Sequence, residues 1–120
     1  MTYISGFLVP VPTSNKDAYI AAARKGWPMF EEYGALSMVE AWGEHVPEGK
    51  QTDFRRAVDL HDGETVVFSW IVWPDKATSD RCEASMETDE RWQEMMEMPF
   101  DGKRMVFGGF VPIFDSSDEG

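Results

Sequence analysis

The chain has few of the residues that carry the commonest site chemistries. Its 120 residues include one cysteine and two histidines. A lone cysteine, Cys82, cannot form a disulfide within the chain, which is typical of a reducing compartment, and we expect the cytoplasm. The histidines, His45 and His61, lack the spacing of metal ligands. We therefore expect neither a metal nor a cofactor.

Positive charge is also scarce. Eleven Lys and Arg residues stand against 22 Asp and Glu residues, so the formal net charge is −11. This balance repels nucleic acid and anionic membrane surfaces, because cation clusters such as Arg55–Arg56 and Lys103–Arg104 are short. The opening residues lack a signal peptide's basic region and cleavage site, and no hydrophobic run has the length of a membrane span. We expect no partner of either kind.

Apolar residues, in contrast, are plentiful. Hydrophobic residues make up 42% of the chain and aromatic residues 13%, with five Trp and eight Phe. This composition supports one folded domain, which we assign to residues 1–114. The remaining residues, 115–120, are acidic and are predicted to form a flexible tail.

The order of predicted elements defines an α+β fold. Strands are predicted over 3–11, 35–46, 65–73 and 103–114, and helices over 14–33 and 75–96, the second restarting near Asp89. The FRRAV stretch, 54–58, is assigned a short extended piece. The order β-α-β-β-α-β is that of a ferredoxin-like fold, an antiparallel sheet with both helices on one face.

Several local signals locate the ends of these elements. Ser14 and Asp75 are the expected helix N-caps, and Gly34 the residue that closes the first helix. Pro10 and Pro12 predict that the first strand ends near them at a sheet edge. Before the last strand, Asp101–Gly102 forms a turn in which Gly102 can take a positive φ. Gly108–Gly109 predicts a bulge or a close approach of another backbone or ligand.

The third strand, TVVFSWIVW, is apolar on both faces. Val66, Phe68, Trp70 and Val72 point one way, whereas Val67, Ile71 and Trp73 point the other. Two helices cover only one face of such a sheet. We therefore expect a homodimer in which a second copy covers the other face and leaves a space between the two sheets.

Five stretches of the chain, taken in order, resemble the YbaA-like family of small bacterial proteins. They are YISGFLVPVP, GALSMVEAWGEHVPEGK, FRRAV, ETVVFSWIVWP and MPFDGKRMVFGGF. The resemblance implies a dimeric α+β barrel built from ferredoxin-like halves. Proteins of that architecture include cofactor-free monooxygenases and haem-degrading enzymes, but a shared fold does not transfer an activity. The family supplies no established catalytic residues.

An apolar pocket is the first candidate site. Trp42, Phe68, Trp70 and Phe107 are predicted to line it, and Arg55 is assigned to it as a cation. Pockets of this kind, with few polar groups, are the usual sites for small molecules. The alternative is a dry dimer core, and the sequence does not separate the two.

Glu40 and His45 are the weak candidates for a catalytic base. If Glu40 and Trp42 face the inter-sheet space, burial would raise the pKa of the Glu40 carboxyl towards that of a usable base. Alternatively, Glu40 pairs with Arg55 or Arg56, or faces water. Three functions follow: a dimer that binds a small, mostly apolar molecule, an enzyme like the cofactor-independent monooxygenases, or a dimerisation scaffold without a ligand.

Overall fold

The computed structural model describes residues 2–95 and 98–118. Four strands form one antiparallel sheet, and the order β-α-β-β-α-β holds for its main elements, so the ferredoxin-like prediction is confirmed. The bounds are β1 Tyr3–Pro12, α1 Lys16–Glu32, β2 Ser37–Trp42, α2 Phe54–Ala57, β3 Glu64–Trp73, α3 Lys76–Thr88 and β4 Val106–Phe110. Across the sheet the strands follow the order β2-β3-β1-β4.

β1 is central over Ile4–Leu8, but at Pro10 and Pro12 it pairs with β3 alone among the described strands, so this end lies at a sheet edge, as the prolines predict. Pro10 pairs with Val66 and Pro12 with Glu64. The Gly43 N–H donates to the Val66 carbonyl, so the backbone groups of Val66 face β2 and the Pro10–Val66 pair is a non-hydrogen-bonded one. Pairing with β4 stops at Leu8. The Pro10 nitrogen, which carries no N–H, therefore faces the side that β4 does not reach, and no ladder hydrogen bond is lost there.

Helix α1 begins later than the sequence indicates. A short 3-10 turn covers Thr13–Asn15, and the N-cap is Asn15, not Ser14. The Lys16 N–H donates to the Thr13 carbonyl within this turn, and Asn15 makes no side-chain cap hydrogen bond. Gly34 has a φ of 105° after the last turn, as predicted for the closing residue.

Helix α3 follows its predicted start. The Asp75 carboxylate accepts a hydrogen bond from the Thr78 backbone N–H at 2.7 Å, which confirms this N-cap. The helix ends at Thr88, and Asp89 precedes a 3-10 segment, Glu90–Met95. The predicted last residue, Met96, lies outside the described residues.

The FRRAV stretch is helical, so the extended assignment is wrong. Asp53 accepts a hydrogen bond from the Arg56 backbone N–H at 2.7 Å and caps α2. The cap lies one residue before the FRRAV stretch, and it stabilises a single helical turn that the apolar pattern does not show.

The strand register assigns each side chain to one face of the sheet. Odd-numbered residues of β1 and β3 pack under α1 and α3, for example Val9, Val67 and Ile71. Glu40 of β2 is paired with Ser69 and lies on the same helix-covered face. Even-numbered residues such as Phe68 and Trp70 lie on the helix-free face. The two-sided prediction for β3 is therefore confirmed.

Arg104, one of the two cations before the last strand, has a structural role. Its guanidinium donates two hydrogen bonds to the Glu64 carboxylate, at 2.8 and 2.6 Å, and one to the Asp59 carbonyl at 2.9 Å. Asp59 has a φ of 47°, an unusual backbone conformation for a residue with a Cβ. This paired fork fixes the approach to β4 against the start of β3.

The glycines of the same segment behave differently from the prediction. Gly102 lies in a 3-10 turn and is not among the positive-φ glycines of the described residues. The pairing of β4 with β1 is regular through Gly108 and Gly109, so no bulge forms. A Cβ at position 109 would overlap the Tyr3 hydroxyl. Position 109 is therefore a glycine because the Tyr3 side chain, and not another backbone or a ligand, lies close to it.

Candidate functional site

A cavity of about 520 Å³ lies between the sheet and the two long helices. We call it the helix-side cavity. Its volume suits a small organic molecule. Residues from all three walls border it, including Phe7, Glu40 and Ser69 of the sheet, Tyr19, Ala22 and Phe30 of α1, and Cys82 and Met86 of α3.

The polar centre of the cavity is Glu40. The Tyr19 hydroxyl donates to Glu40 Oε1 at 2.6 Å, and the Ser69 hydroxyl donates to the same carboxylate. Glu40 and Ser69 are direct partners across β2 and β3, in a non-hydrogen-bonded pair whose side chains approach closely. Ser69 is only 3% exposed, so the acceptor and its donors are held by the packed sheet.

Burial raises the pKa of the Glu40 carboxyl, whereas the hydrogen bonds from Tyr19 and Ser69 oppose that rise. Burial also raises the pKa of the Tyr19 phenol, and the hydrogen bond to Glu40 and the negative charge of Glu40 raise it further. Tyr19 is therefore a fixed donor, and Glu40 is the group that can exchange a proton.

Glu40 keeps an exposed surface although protein surrounds its carboxylate. Two spaces explain this, because Glu40 borders both the helix-side cavity and a second groove between α1 and the β2 edge, where Arg24 and Leu36 lie. Water reaches the side chain through these openings, while the surrounding atoms still reduce its solvation. The arrangement allows a carboxylate to contact both the interior and a ligand.

Aromatic and sulfur-bearing side chains dominate the rest of the walls. Phe7, Phe30 and Phe107 face the cavity together with Met86 and Met105. Methionine adapts its shape to irregular apolar partners. Cys82 is buried, and burial raises the pKa of its thiol to about 11, so it is a poor nucleophile.

The four predicted pocket aromatics do not line one space. Trp42 and Phe107 lie on the helix-covered side, where Phe107 borders the cavity and Lys16 Nζ lies 5.5 Å from the centre of the Trp42 ring. Phe68 and Trp70 lie on the helix-free face with ring centroids 5.5 Å apart. The two pairs lie on opposite faces because side chains alternate along a strand, and Trp42 and Phe107 are paired with the odd-numbered Val67 and Phe7.

The predicted polar residues also separate. Glu40 faces the helix side instead of the inter-sheet space, and its partners are Tyr19 and Ser69 instead of Arg55 or Arg56. Arg55 is an exposed residue of α2. Arg56 pairs with Glu48 at 3.3 Å and Asp53 at 3.6 Å. His45 is exposed in the coil after β2, beyond the strand that carries Glu40.

Tyr19 and Ser69 were missed by the sequence analysis as members of a site. Tyr19 is a buried aromatic residue of α1, and in the sequence such a residue has the pattern of a core side chain. A polar residue, Ser69, at an inward position of an otherwise apolar strand was the available signal, because buried hydroxyls need a partner. Within residues 2–95 and 98–118, no group of three or more His, Cys, Asp or Glu residues is arranged to hold a metal.

The helix-free face carries exposed apolar side chains. Phe68 is 47% exposed and Phe110 59%, and the Phe54 ring lies 6.0 Å from that of Phe68. After β4 the chain continues with Ile113, which is 98% exposed, and Phe114. Such a contiguous apolar surface is typical of an interface.

Fold and register together define a single-sheet ferredoxin-like α+β protein with a cavity under its helices. Residues 2–102 match the family described as "Protein of unknown function (DUF1428)". The chain is 52% identical over 116 residues to the uncharacterized protein YbaA of Escherichia coli (strain K12), which covers 96% of this chain and 99% of that protein. The chain belongs to this family, which confirms the resemblance.

Solved structures share the fold at low sequence identity. A dimeric ferredoxin-like protein from an uncultured marine organism is 10% identical, with a TM-score of 0.58 over 95% of this chain and 97% of that chain. A second dimeric ferredoxin-like protein of marine origin is also 10% identical, with a TM-score of 0.53 over 96% and 97%. These likenesses establish the ferredoxin-like fold.

The helices of the described segments are unsuited to a lipid bilayer. None of those found in residues 2–95 and 98–118 combines the length and the apolar character that a membrane crossing needs.

Proposed function

We propose that this chain is a homodimeric cytoplasmic protein that binds a small, mostly apolar molecule in the helix-side cavity. The single observation that carries the proposal is an apolar space of about 520 Å³ with one fixed polar centre, Glu40. A packed core would avoid both the empty space and a carboxylate whose solvation is reduced by the surrounding protein, because each costs stability. A site for a ligand accounts for the two together.

The dimer is supported by the helix-free face and by the marine relatives. The face exposes Phe68 of β3 and both end residues of β4, Val106 and Phe110. The two solved ferredoxin-like proteins are named as dimeric. The lone cysteine is buried and free, which is in keeping with a reducing cytoplasm.

Filling the cavity tests the binding proposal. Ala22 of α1 lines the cavity, whereas its neighbour Ala21 is exposed on the same helix and does not. We expect wild-type protein to bind the neutral fluorescent probe N-phenyl-1-naphthylamine at one site per chain. Ala22→Phe should weaken this binding by about tenfold or more, since the new ring occupies the space.

The matched control is Ala21→Phe, which adds the same ring outside the cavity and should leave the titration unchanged. Circular dichroism of both variants establishes that they fold. Unchanged probe binding in folded Ala22→Phe would contradict the cavity site. If Phe68→Asp then abolished binding, the ligand would lie between the sheets instead.

A second candidate function is cofactor-independent oxygenation of an activated aromatic substrate. The raised pKa of Glu40, caused by burial within an apolar cavity, favours it, because a base of raised pKa can take a phenolic proton. With 1,4-dihydroxynaphthalene as substrate, oxygen uptake should exceed the uncatalysed rate and fall about 100-fold or more in Glu40→Gln. The exposed Glu44→Gln variant is the control. Oxygen uptake no faster than in buffer would exclude this activity for that substrate.

A further inference from the structure

The charged residues of the helix-side cavity all have the same sign. Of the described residues that line it, the charged ones are Glu40, Asp80 and Glu83, and none is Lys, Arg or His. Asp80 is neutralised at the rim by Lys76, with Nζ and Oδ2 2.7 Å apart. The cavity therefore has negative potential with no cation among its described lining residues, in a chain whose net charge is already −11; Arg24 lies in the groove on the other side of Glu40 and forms no ion pair with it among the described residues.

The donors that hold Glu40 are neutral. Tyr19 and Ser69 supply hydroxyl hydrogen bonds, and these leave the carboxylate without an ion-pair partner on its cavity side among the described residues. A carboxylate has about four lone-pair sites, so two donors do not saturate it. The capacity that remains is for accepting hydrogen bonds. A ligand group at this position has to be a donor.

The walls suit the apolar body and the charge of such a donor. Phe7, Phe30 and Phe107 present aromatic rings to the cavity. Aromatic faces attract cations, and the attraction grows where water is excluded. An anionic headgroup would instead meet the charge of Glu40 and Glu83 without a compensating cation.

We propose that the helix-side cavity takes an apolar amine, whose ammonium group donates to Glu40 while an aromatic or aliphatic body fills the space between the sheet and α1. The proposal rests on the binding function above and specifies its ligand class. Charge-assisted hydrogen bonds to a carboxylate are about twice as strong as neutral ones. The ammonium supplies the counter-charge that Tyr19 and Ser69 lack.

Three probes of equal size test the ligand class. They are 4-phenylbutylamine, 4-phenylbutanol and 4-phenylbutyrate, titrated by calorimetry into the full-length protein at neutral pH. We expect the amine to bind at least about tenfold more tightly than the alcohol, and the carboxylate to bind more weakly than both.

Substitution of the carboxylate should remove the preference. Glu40→Gln keeps the shape of the side chain, so it should lower amine affinity by about tenfold or more and leave the affinity for the alcohol unchanged. Glu44→Gln removes the same charge from an exposed position after β2 and is the matched control. If Glu44→Gln lowered amine affinity as much, the effect would come from net charge, and the proposal would be wrong.

The outcomes separate this proposal from the one it rests on. Equal affinity for amine and alcohol, or an unchanged preference in Glu40→Gln, overturns the amine and leaves the cavity site standing. Failure of all three compounds, with binding of N-phenyl-1-naphthylamine retained, also overturns the amine alone. If that neutral probe does not bind either, both proposals fail.

Discussion

The two faces of the sheet use similar residues for different purposes. On the helix-covered face, Val67 and Ile71 are almost fully buried, and Glu40 and Ser69 form a hydrogen-bonded group among them. On the helix-free face, Phe68 and Phe110 are about half exposed. One face is covered but not filled. The other is uncovered, and its hydrogen-bonded carboxylate, Glu64, lies at the very start of β3 and is paired with Arg104.

This difference teaches that apolar composition alone does not identify a binding site. A covered face that retains a cavity and a carboxylate keeps two costly features, which a ligand would offset. An uncovered face of large apolar side chains gains most by meeting a matching surface, because burial of apolar area is favourable without any specific geometry. The proposed ligand therefore belongs to the helix side, and the proposed dimer contact to the helix-free side.

Glycine placement makes the helix-free face flatter. The Phe110 ring lies over Gly6 and Gly108, which are partners across β1 and β4. A Cβ at either glycine would come within 3.3 Å of that ring. Side chains larger than hydrogen would push Phe110 away from the sheet. The small pair thus lets an aromatic ring lie along the surface that we assign to the dimer.

A charge on the helix-free face gives the largest expected effect. Phe68→Asp should convert the dimer to monomers at micromolar concentration, since a carboxylate in the centre of an apolar interface is not solvated. Size-exclusion chromatography with light scattering measures the mass. In the separated chain position 68 is about half exposed, so the variant should fold as judged by circular dichroism.

Leu36→Asp provides the comparison on the other side. Leu36 is 58% exposed but borders the groove beside α1, so an acid there should leave the dimer intact. If Phe68→Asp remains dimeric, or if Leu36→Asp also dissociates, the assignment of the two faces is wrong. A wild-type protein with the mass of one chain would remove the dimer altogether.

Much of the fold could be predicted from residue patterns. The alternation within TVVFSWIVW follows from a fixed period of two, so it correctly separates Phe68 and Trp70 from Val67 and Ile71. Asp75 could be identified because a cap depends on only four neighbouring residues. The FRRAV helix was not predicted, because it depends on a cap, Asp53, that lies outside the apolar pattern.

The candidate site was harder to predict than the fold. Glu40 was a candidate base beside an aromatic wall only on the condition that its face met the inter-sheet space, and the structure puts that face under the helices. The alternation predicted that Glu40 and Trp42 share a face, and it did not say which face the helices cover. Tyr19 and Glu40 meet only because α1 crosses β2. A contact between residues of separate elements depends on packing, which no local pattern contains.

Two glutamates extend the comparison to acid–base behaviour. Arg104 holds the pKa of Glu64 down to about 2, with a further hydrogen bond from the His61 backbone N–H. Burial shifts the pKa of Glu40 in the opposite direction. The ionised form of Glu64 and the protonated form of Glu40 are thus the ones that folding favours. Their contributions to stability should change with pH in opposite senses.

The smallest expected effects are in the pH dependence of unfolding by urea. The stabilisation from Glu64 is present above its unfolded pKa of about 4.3 and is lost as pH falls towards about 2, so Glu64→Gln should flatten this acid decline. The contribution of Glu40 to the free energy of unfolding is present at low pH and is lost as pH rises through its raised pKa. Glu40→Gln should therefore flatten the loss of stability with rising pH. Glu44→Gln, at an exposed position, should change neither limb. If the free energy of unfolding falls equally with decreasing pH in wild type and Glu64→Gln, the Arg104–Glu64 pair does not act as described. If Glu44→Gln removes the loss of stability at higher pH, that loss comes from net charge and not from Glu40.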